Sequence, residues 1–88
     1  MPVEENVVIV GRKPLPDYVL EVILLFNEGY DEVIIKGQGP NVGKAVDLYN
    51  AVKRRLQDGV ELAGVKIDSI ERGRRLIPLI EIRIKRTI

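Results

Sequence analysis

Cysteine, histidine and tryptophan are absent from the chain, and its 88 residues include only one phenylalanine and three tyrosines. Without cysteine or histidine, disulfide scaffolds, thiol nucleophiles, imidazole acid–base catalysis and the usual zinc sites are excluded. The few aromatic residues fall mostly in predicted helix cores, which disfavours a sheet face that stacks single-stranded bases. We therefore expect no enzyme, no cofactor, no metal site and no small-molecule substrate.

Long hydrophobic runs are also missing, since the longest covers only residues 22–26 and is far too short to span a membrane. The first ten residues lack the basic start and the cleavage site of a signal peptide. We therefore expect a cytoplasmic protein with no membrane partner. The length allows one domain, residues 1–88, whose small core would gain stability from association with a second chain.

The net charge of +1 conceals an uneven distribution of 14 basic and 13 acidic residues. Residues 1–35 hold two basic and seven acidic residues (net −5), residues 36–71 six and five (+1), and residues 72–88 six and one (+5). Such polarity along a chain is typical of a protein that offers one surface to an anionic partner. A solvated face with chance clustering would give the same distribution, so charge alone does not decide.

Hydrophobic periodicity predicts the element order β-α-β-α-β-β. Residues 6–10 form a short apolar strand that we expect to be covered on both faces, and residues 33–36 form a second strand. The first helix begins near Pro16 and stops at Gly29, and the second is about 18 residues, or about 27 Å, long. The predicted core stripe of the second helix is Val42, Ala45, Val46, Tyr49, Val52 and Leu56.

The last third of the chain predicts two long strands joined as a hairpin, with a bulge near Ala63 and Gly64 where the apolar alternation changes phase. Twelve strand residues would extend about 40 Å, whereas a compact body of this length is about 30 Å across. An arm should therefore project, and its tip, residues 71–75, carries three arginines. The predicted fold class is α/β, of the two-layer α+β type, with a four-stranded mixed sheet and two helices.

Glycine-rich residues 36–41 precede the second helix, which raises the question of a nucleotide site. The spacing does not fit a P-loop, because five residues lie between Gly37 and Gly43-Lys44 and three lie between Gly39 and Gly43-Lys44, where four are needed. Ala45 also replaces the hydroxyl residue that would meet magnesium. We interpret these glycines as a tight strand-to-helix turn.

Basic residues fall in three places: the first strand-to-helix loop (Arg12, Lys13), the second (Lys36, Lys44) and the hairpin tip. If the first two strands are parallel, both loops leave the same edge of the sheet. Lysines that neutralise phosphates, combined with arginines on an arm that can enter a minor groove, favour duplex nucleic acid as the partner.

Six segments together resemble the archaeal Alba family, in order and over nearly the whole chain: NVVIVGRKP (6–14), YVL (18–20), NEG (27–29), VIIKGQG (33–39), KAVD (44–47) and IEIRI (80–84). The resemblance implies a dimeric, chromosome-associated chromatin protein that coats and compacts double-stranded DNA without sequence preference, and often binds RNA. It also implies a set of contact residues on the loops and in the minor groove: Arg12, Lys13, Lys36, Gln38, Asn41, Lys44, Arg72, Arg74 and Arg75.

The sequence departs from better-known members of that family in three places. Gln38 and Pro40 stand where arginine is frequent, and Arg12 occupies the place of a lysine whose acetylation tunes DNA affinity, which leaves Lys13 as the candidate for that control. Leu56 replaces an aromatic residue used in dimer–dimer contact. These departures resemble a divergent second paralogue, which implies either a homodimer or a heterodimer with an Alba paralogue.

Two other hypotheses remain open. The same surface would serve an RNA chaperone or a ribonucleoprotein subunit, because backbone charge does not distinguish the two polymers. The low net charge also allows a protein-interaction subunit whose basic arm meets an acidic partner chain.

Overall fold

The predicted element order is confirmed by a computed structural model that describes residues 5–87. Six elements make up the fold: β1 (Val7–Ile9), α1 (Leu15–Asn27), β2 (Glu32–Gln38), α2 (Val42–Leu56), β3 (Val60–Arg72) and β4 (Arg75–Arg86). Single turns of 3-10 helix, Gly39–Asn41 and Gln57–Gly59, precede and follow α2.

The four strands form one mixed sheet in the order β1-β2-β4-β3, as the fold class predicts. β1 is parallel to β2, whereas β4 is antiparallel to both of its neighbours. Because β1 and β2 are parallel, the loops that follow them lie at the same edge of the sheet.

The core lies between the two helices and one face of the sheet. Val33 and Ile35 of β2 and Ile84 of β4 are fully buried there. The prediction that β1 is covered on both faces is wrong, since Val8 is buried but the Ile9 side chain is 73% exposed. β1 is an edge strand and the helices cover only one face, so an apolar run in this strand alternates between core and surface.

Helix α2 is shorter than predicted, with 15 residues rather than about 18. It ends where Gln57 adopts a φ of 49°, and the following turn is 3-10. The Lys53 ammonium donates hydrogen bonds to the carbonyls of Gln57 (2.9 Å) and Val60 (2.7 Å). This basic side chain therefore satisfies carbonyls at the helix end, as expected of a cation near a helix C-terminus.

The core stripe of α2 also differs from the prediction. Its buried residues are Ala45, Leu48 and Val52, whereas Val46 is 37% exposed and Tyr49 is half-buried at the margin of the core. The apolar residues of α2 are spread widely enough around the helix to permit more than one buried face. The angle at which α2 packs on the sheet decides which of these faces is buried. Leu48 is therefore a core residue that periodicity alone missed.

The hairpin of β3 and β4 contains the expected bulge, with a register shift between Leu62 and Gly64. At its turn, Gly73 has a φ of 61°, a left-handed conformation that suits glycine. The last residue of β2, Gln38, pairs with Leu79 of β4, so residues 69–78 continue past the end of β2 as two strands only. We call these residues the arm. They account for the elongated shape of 45 × 31 × 23 Å.

Candidate nucleic-acid interface

Tyr18 of α1 anchors the loop between β1 and α1, residues 10–14, through hydrogen bonds to the loop backbone. The Tyr18 hydroxyl accepts hydrogen bonds from the backbone N–H groups of Gly11 (2.8 Å) and Lys13 (3.1 Å). Tyr18 is itself only 3% exposed, so the loop rests on a rigid part of the core. The backbone that carries Arg12 and Lys13 is therefore fixed before any ligand arrives.

Lys44 of α2 holds the same loop from the other side. Its ammonium donates hydrogen bonds to the carbonyl oxygens of Gly11 (2.8 Å) and Lys13 (2.5 Å), and it lies 5.3 Å from the centre of the Tyr18 ring. These contacts join the two strand-to-helix connections at one edge of the sheet, as the sequence predicts. They also give Lys44 a positioning role, because two of its donors serve the loop backbone.

Lys13 is exposed but already has an anionic neighbour. Its ammonium lies 2.8 Å from a carboxylate oxygen of Glu21 on α1, and 5.2 Å from the centre of the Tyr18 ring. The hydrogen bond to Glu21 raises the pKa of Lys13 above its ordinary value, because the carboxylate stabilises the charged ammonium. Arg12 is exposed, and within residues 5–87 its guanidinium has no hydrogen bond or ion pair.

The second connection supplies two polar residues and one lysine that points elsewhere. Gln38 is exposed at the end of β2, and Asn41 is half-buried at the start of α2. Lys36 alternates with the buried Ile35, so its side chain lies on the sheet face opposite the helices, where Glu81 is 3.5 Å away. Gln38 and Asn41 thus lie at the same sheet edge as the first loop, with Gln38 on the same sheet face as Lys36, whereas Lys44 lies on the helix side of the sheet.

The three arginines of the arm lie beyond the sheet body. Arg72 and Arg75 face each other across the two strands, and Arg74 occupies the turn between them. All three side chains are exposed, and over the part of the chain that the structure describes none of them is in an ion pair. Because the arm continues past the C-terminal end of β2, its base lies at the same sheet edge as both loops.

Leu56, the predicted dimer–dimer residue, lies in the last turn of α2, half-buried and packed against the core. No cluster of acidic side chains within residues 5–87 is suited to hold a metal ion. Of the two helices in that range, neither is long and apolar enough to cross a membrane.

Sequence reasoning missed two members of this site. The apolar spacing of the first helix predicts Tyr18 only as a core residue, and it does not predict the contact of Glu21 with the loop. Lys13 and Glu21 are eight positions apart in the sequence, and Gly11 and Lys44 are 33 positions apart. A signal for Glu21 is its place on the second turn of α1, which begins two residues after Lys13, so that a carboxylate there can reach back to the loop.

Comparison with known proteins identifies relatives of this chain. A family model described as Alba matches residues 6–69. The chain is 51% identical, over 92% of its length and 91% of the relative's, to a protein of Saccharolobus solfataricus named DNA/RNA-binding protein Alba 2. It is 43% identical to the DNA/RNA-binding protein Alba of Nanoarchaeum equitans, over 73% and 72% of the two chains.

A solved structure agrees with these sequence matches. Alba from Thermoplasma volcanium superposes with a TM-score of 0.82 at 29% identity, over 92% of this chain and all of the other. The resemblance noted from the six sequence segments and the fold class are both confirmed. The name Alba 2 of the Saccharolobus relative matches the expected second-paralogue character.

Proposed function

Because the chain belongs to the Alba family, with the family model covering residues 6–69, we propose that it coats duplex DNA as a dimer without reading its sequence. Its relatives are named DNA/RNA-binding proteins, which supports nucleic acid as the partner. The proposal includes a location on the chromosome in the cytoplasm and no catalytic activity.

The observation that carries this proposal is the common edge of the sheet. Arg12 and Lys13 on the first loop, Gln38 and Asn41 at the second connection, and the base of the arm all lie at the end of β1 and β2. Exposed cations at one edge can contact several backbone phosphates of one duplex at once. Among the acidic residues described within 5–35, Glu21 and Asp17 lie near Lys13, whereas Asp31 and Glu32 lie at the start of β2, at the other end of that strand.

The side chains at this edge favour binding without sequence preference. Lysine and arginine contacts to phosphate position a protein on the duplex but carry no sequence information. The arm is a narrow two-stranded ribbon tipped by Arg72, Arg74 and Arg75, a shape and charge suited to a narrow minor groove, where arginine responds to groove width.

The dimer part of the proposal is supported by an apolar strip on β3. Leu62, Val65 and Ile67 are on the same sheet face as the buried Ile84, Ile82 and Ile80 of β4, with which they pair. The helices cover the β4 residues but leave these three side chains 47%, 51% and 76% exposed. A second copy of the chain packed on this strip would complete the core and present two arms to one duplex.

Ile67→Asp should therefore convert the dimer to a monomer, weakening association by at least about 100-fold, because a charge would be buried in an apolar contact. The measurement is the solution mass by light scattering across a concentration series. Ile9→Asp is the matched control, since Ile9 is 73% exposed on the opposite edge strand and should leave the mass unchanged. A dimer that survives Ile67→Asp but not Ile9→Asp would move the interface to β1.

The proposed function is tested by titrating the purified protein against duplex DNAs of unrelated sequence and against structured RNA at several salt concentrations. We expect the DNAs to bind within about threefold of one another and to weaken steeply as salt rises. Absence of DNA binding at low salt would overturn the proposal. Tighter binding to RNA at physiological salt would select the ribonucleoprotein alternative. Binding to neither polymer would leave the acidic protein partner as the hypothesis to pursue.

A further inference from the structure

Within residues 5–87, Glu21 is the one carboxylate that forms an ion pair with a cation of the first loop. Its Oε2 atom lies 2.8 Å from the Lys13 ammonium, and the two side chains are 42% and 56% exposed. The Lys13 ammonium also lies above the Tyr18 ring, so both Glu21 and Tyr18 hold the Lys13 side chain against α1. In this position Lys13 faces a carboxylate of its own chain.

The pair is fixed in geometry because both of its ends are anchored. Glu21 lies one turn after Tyr18 on α1, and Tyr18 holds the backbone N–H of Lys13 at 3.1 Å. Lys44 holds the carbonyl of Lys13 from the opposite side. Since the loop cannot easily swing away from α1, Glu21 remains next to Lys13 whether or not a ligand is present.

We propose that Glu21 acts as a built-in brake on nucleic-acid binding, competing with a backbone phosphate for Lys13. The inference rests on the proposed function and specifies how the affinity of that site is set. A phosphate that contacts Lys13 must either displace the Glu21 carboxylate or bind close to it, where the two negative charges repel each other. Each protomer therefore gains less from Lys13 than from the neighbouring Arg12, which has no ion pair within residues 5–87.

Glu21→Gln should strengthen binding to duplex DNA about two- to fivefold per protomer, the range expected when an exposed ion pair is released. The slope of log K against log salt should steepen by up to about one per protomer, because one more phosphate is neutralised. The measurement is a titration of the full-length protein with a duplex of fixed sequence at several salt concentrations. Thermal melting would verify that the variants fold.

Glu28→Gln is the matched control, since it removes the same charge at the C-cap of α1, seven positions after Glu21, at an exposed position outside any ion pair in residues 5–87. We expect it to change affinity by less than about 1.5-fold, through long-range charge alone. Equal effects of Glu21→Gln and Glu28→Gln would overturn the brake while leaving the proposed function intact.

A double-mutant cycle makes the test specific to the pair. In a Lys13→Gln background, Glu21→Gln should have no greater effect than Glu28→Gln, because the cation for which it competes is gone. A full effect of Glu21→Gln in that background would show simple repulsion of DNA and overturn the competition. Wild-type protein that fails to bind DNA or RNA would instead overturn the proposed function itself, and the brake with it.

Discussion

Replacement of Arg72, Arg74 and Arg75 by alanine is expected to weaken binding to duplex DNA about 100-fold or more at physiological salt, and equally for unrelated sequences. In the proposed dimer the change removes six cations from two arms. Because each neutralised phosphate contributes about 0.9 to the salt slope, the dependence of log K on log salt should flatten by up to about five. A titration at four or more salt concentrations measures both quantities.

The control for this variant removes the same number of charges from the other end of the molecule. Arg54 and Arg55 lie in the last turn of α2. Lys85 of β4 lies opposite Glu32, at the start of β2, in the strand register. All three are therefore far from the arm. Their replacement by alanine should reduce affinity much less, through net charge alone. If the two triple variants weaken binding to the same extent, the arm has no special role.

Gly37→Ala is expected to destabilise the fold by about 2–4 kcal/mol, at the upper end of overpacking effects. A Cβ atom at this position would lie 2.5 Å from the carbonyl oxygen of Asn41 and 2.7 Å from the Cβ of Ala45. Relief would require α2 to move away from β2, which would open the core at fully buried residues such as Leu48. For a domain of this size the melting temperature should fall by about 10–25 °C.

Gly43→Ala, six residues further along the same glycine-rich segment, should have the opposite sign. A Cβ atom there meets nothing within 4 Å, and the residue is in the first turn of α2. Alanine should raise the stability by about 0.5–1 kcal/mol, because it restricts the unfolded chain and favours the helix. Thermal melts of both variants under one set of conditions measure the difference. Equal losses of stability in the two variants would contradict a specific requirement for glycine at the tight turn.

Much of the fold could be predicted because its signals are local. The phase change at Ala63 predicts the bulge, and the alternation from Ile80 to Ile84 predicts the buried face of β4. The face of β1 and the stripe of α2 could not be predicted in the same way. Both depend on where the helices come to rest on the sheet, which is a tertiary outcome that single-chain periodicity does not contain.

The site was predictable in its residue types but not in their partners. Parallel strands place Arg12 and Lys44 at one edge, so proximity followed from topology. That Lys44 would bind carbonyls of the first loop, and that Glu21 would bind Lys13, depends on side-chain contacts between separate elements. Such pairings are set by distances of a few ångströms, which residue order does not specify.

The two-stranded construction of the arm has a consequence for its motions. Among the described residues 5–87, no third strand lies beside residues 69–78, and an isolated two-stranded hairpin is only marginally stable in water. Local opening of the tip therefore requires far less free energy than unfolding of the body, so amide protons near Gly73 should exchange with solvent long before those of β2. An arm that frays when unbound and becomes ordered on a ligand would lose conformational entropy on association. This loss would offset part of the favourable electrostatic free energy of binding.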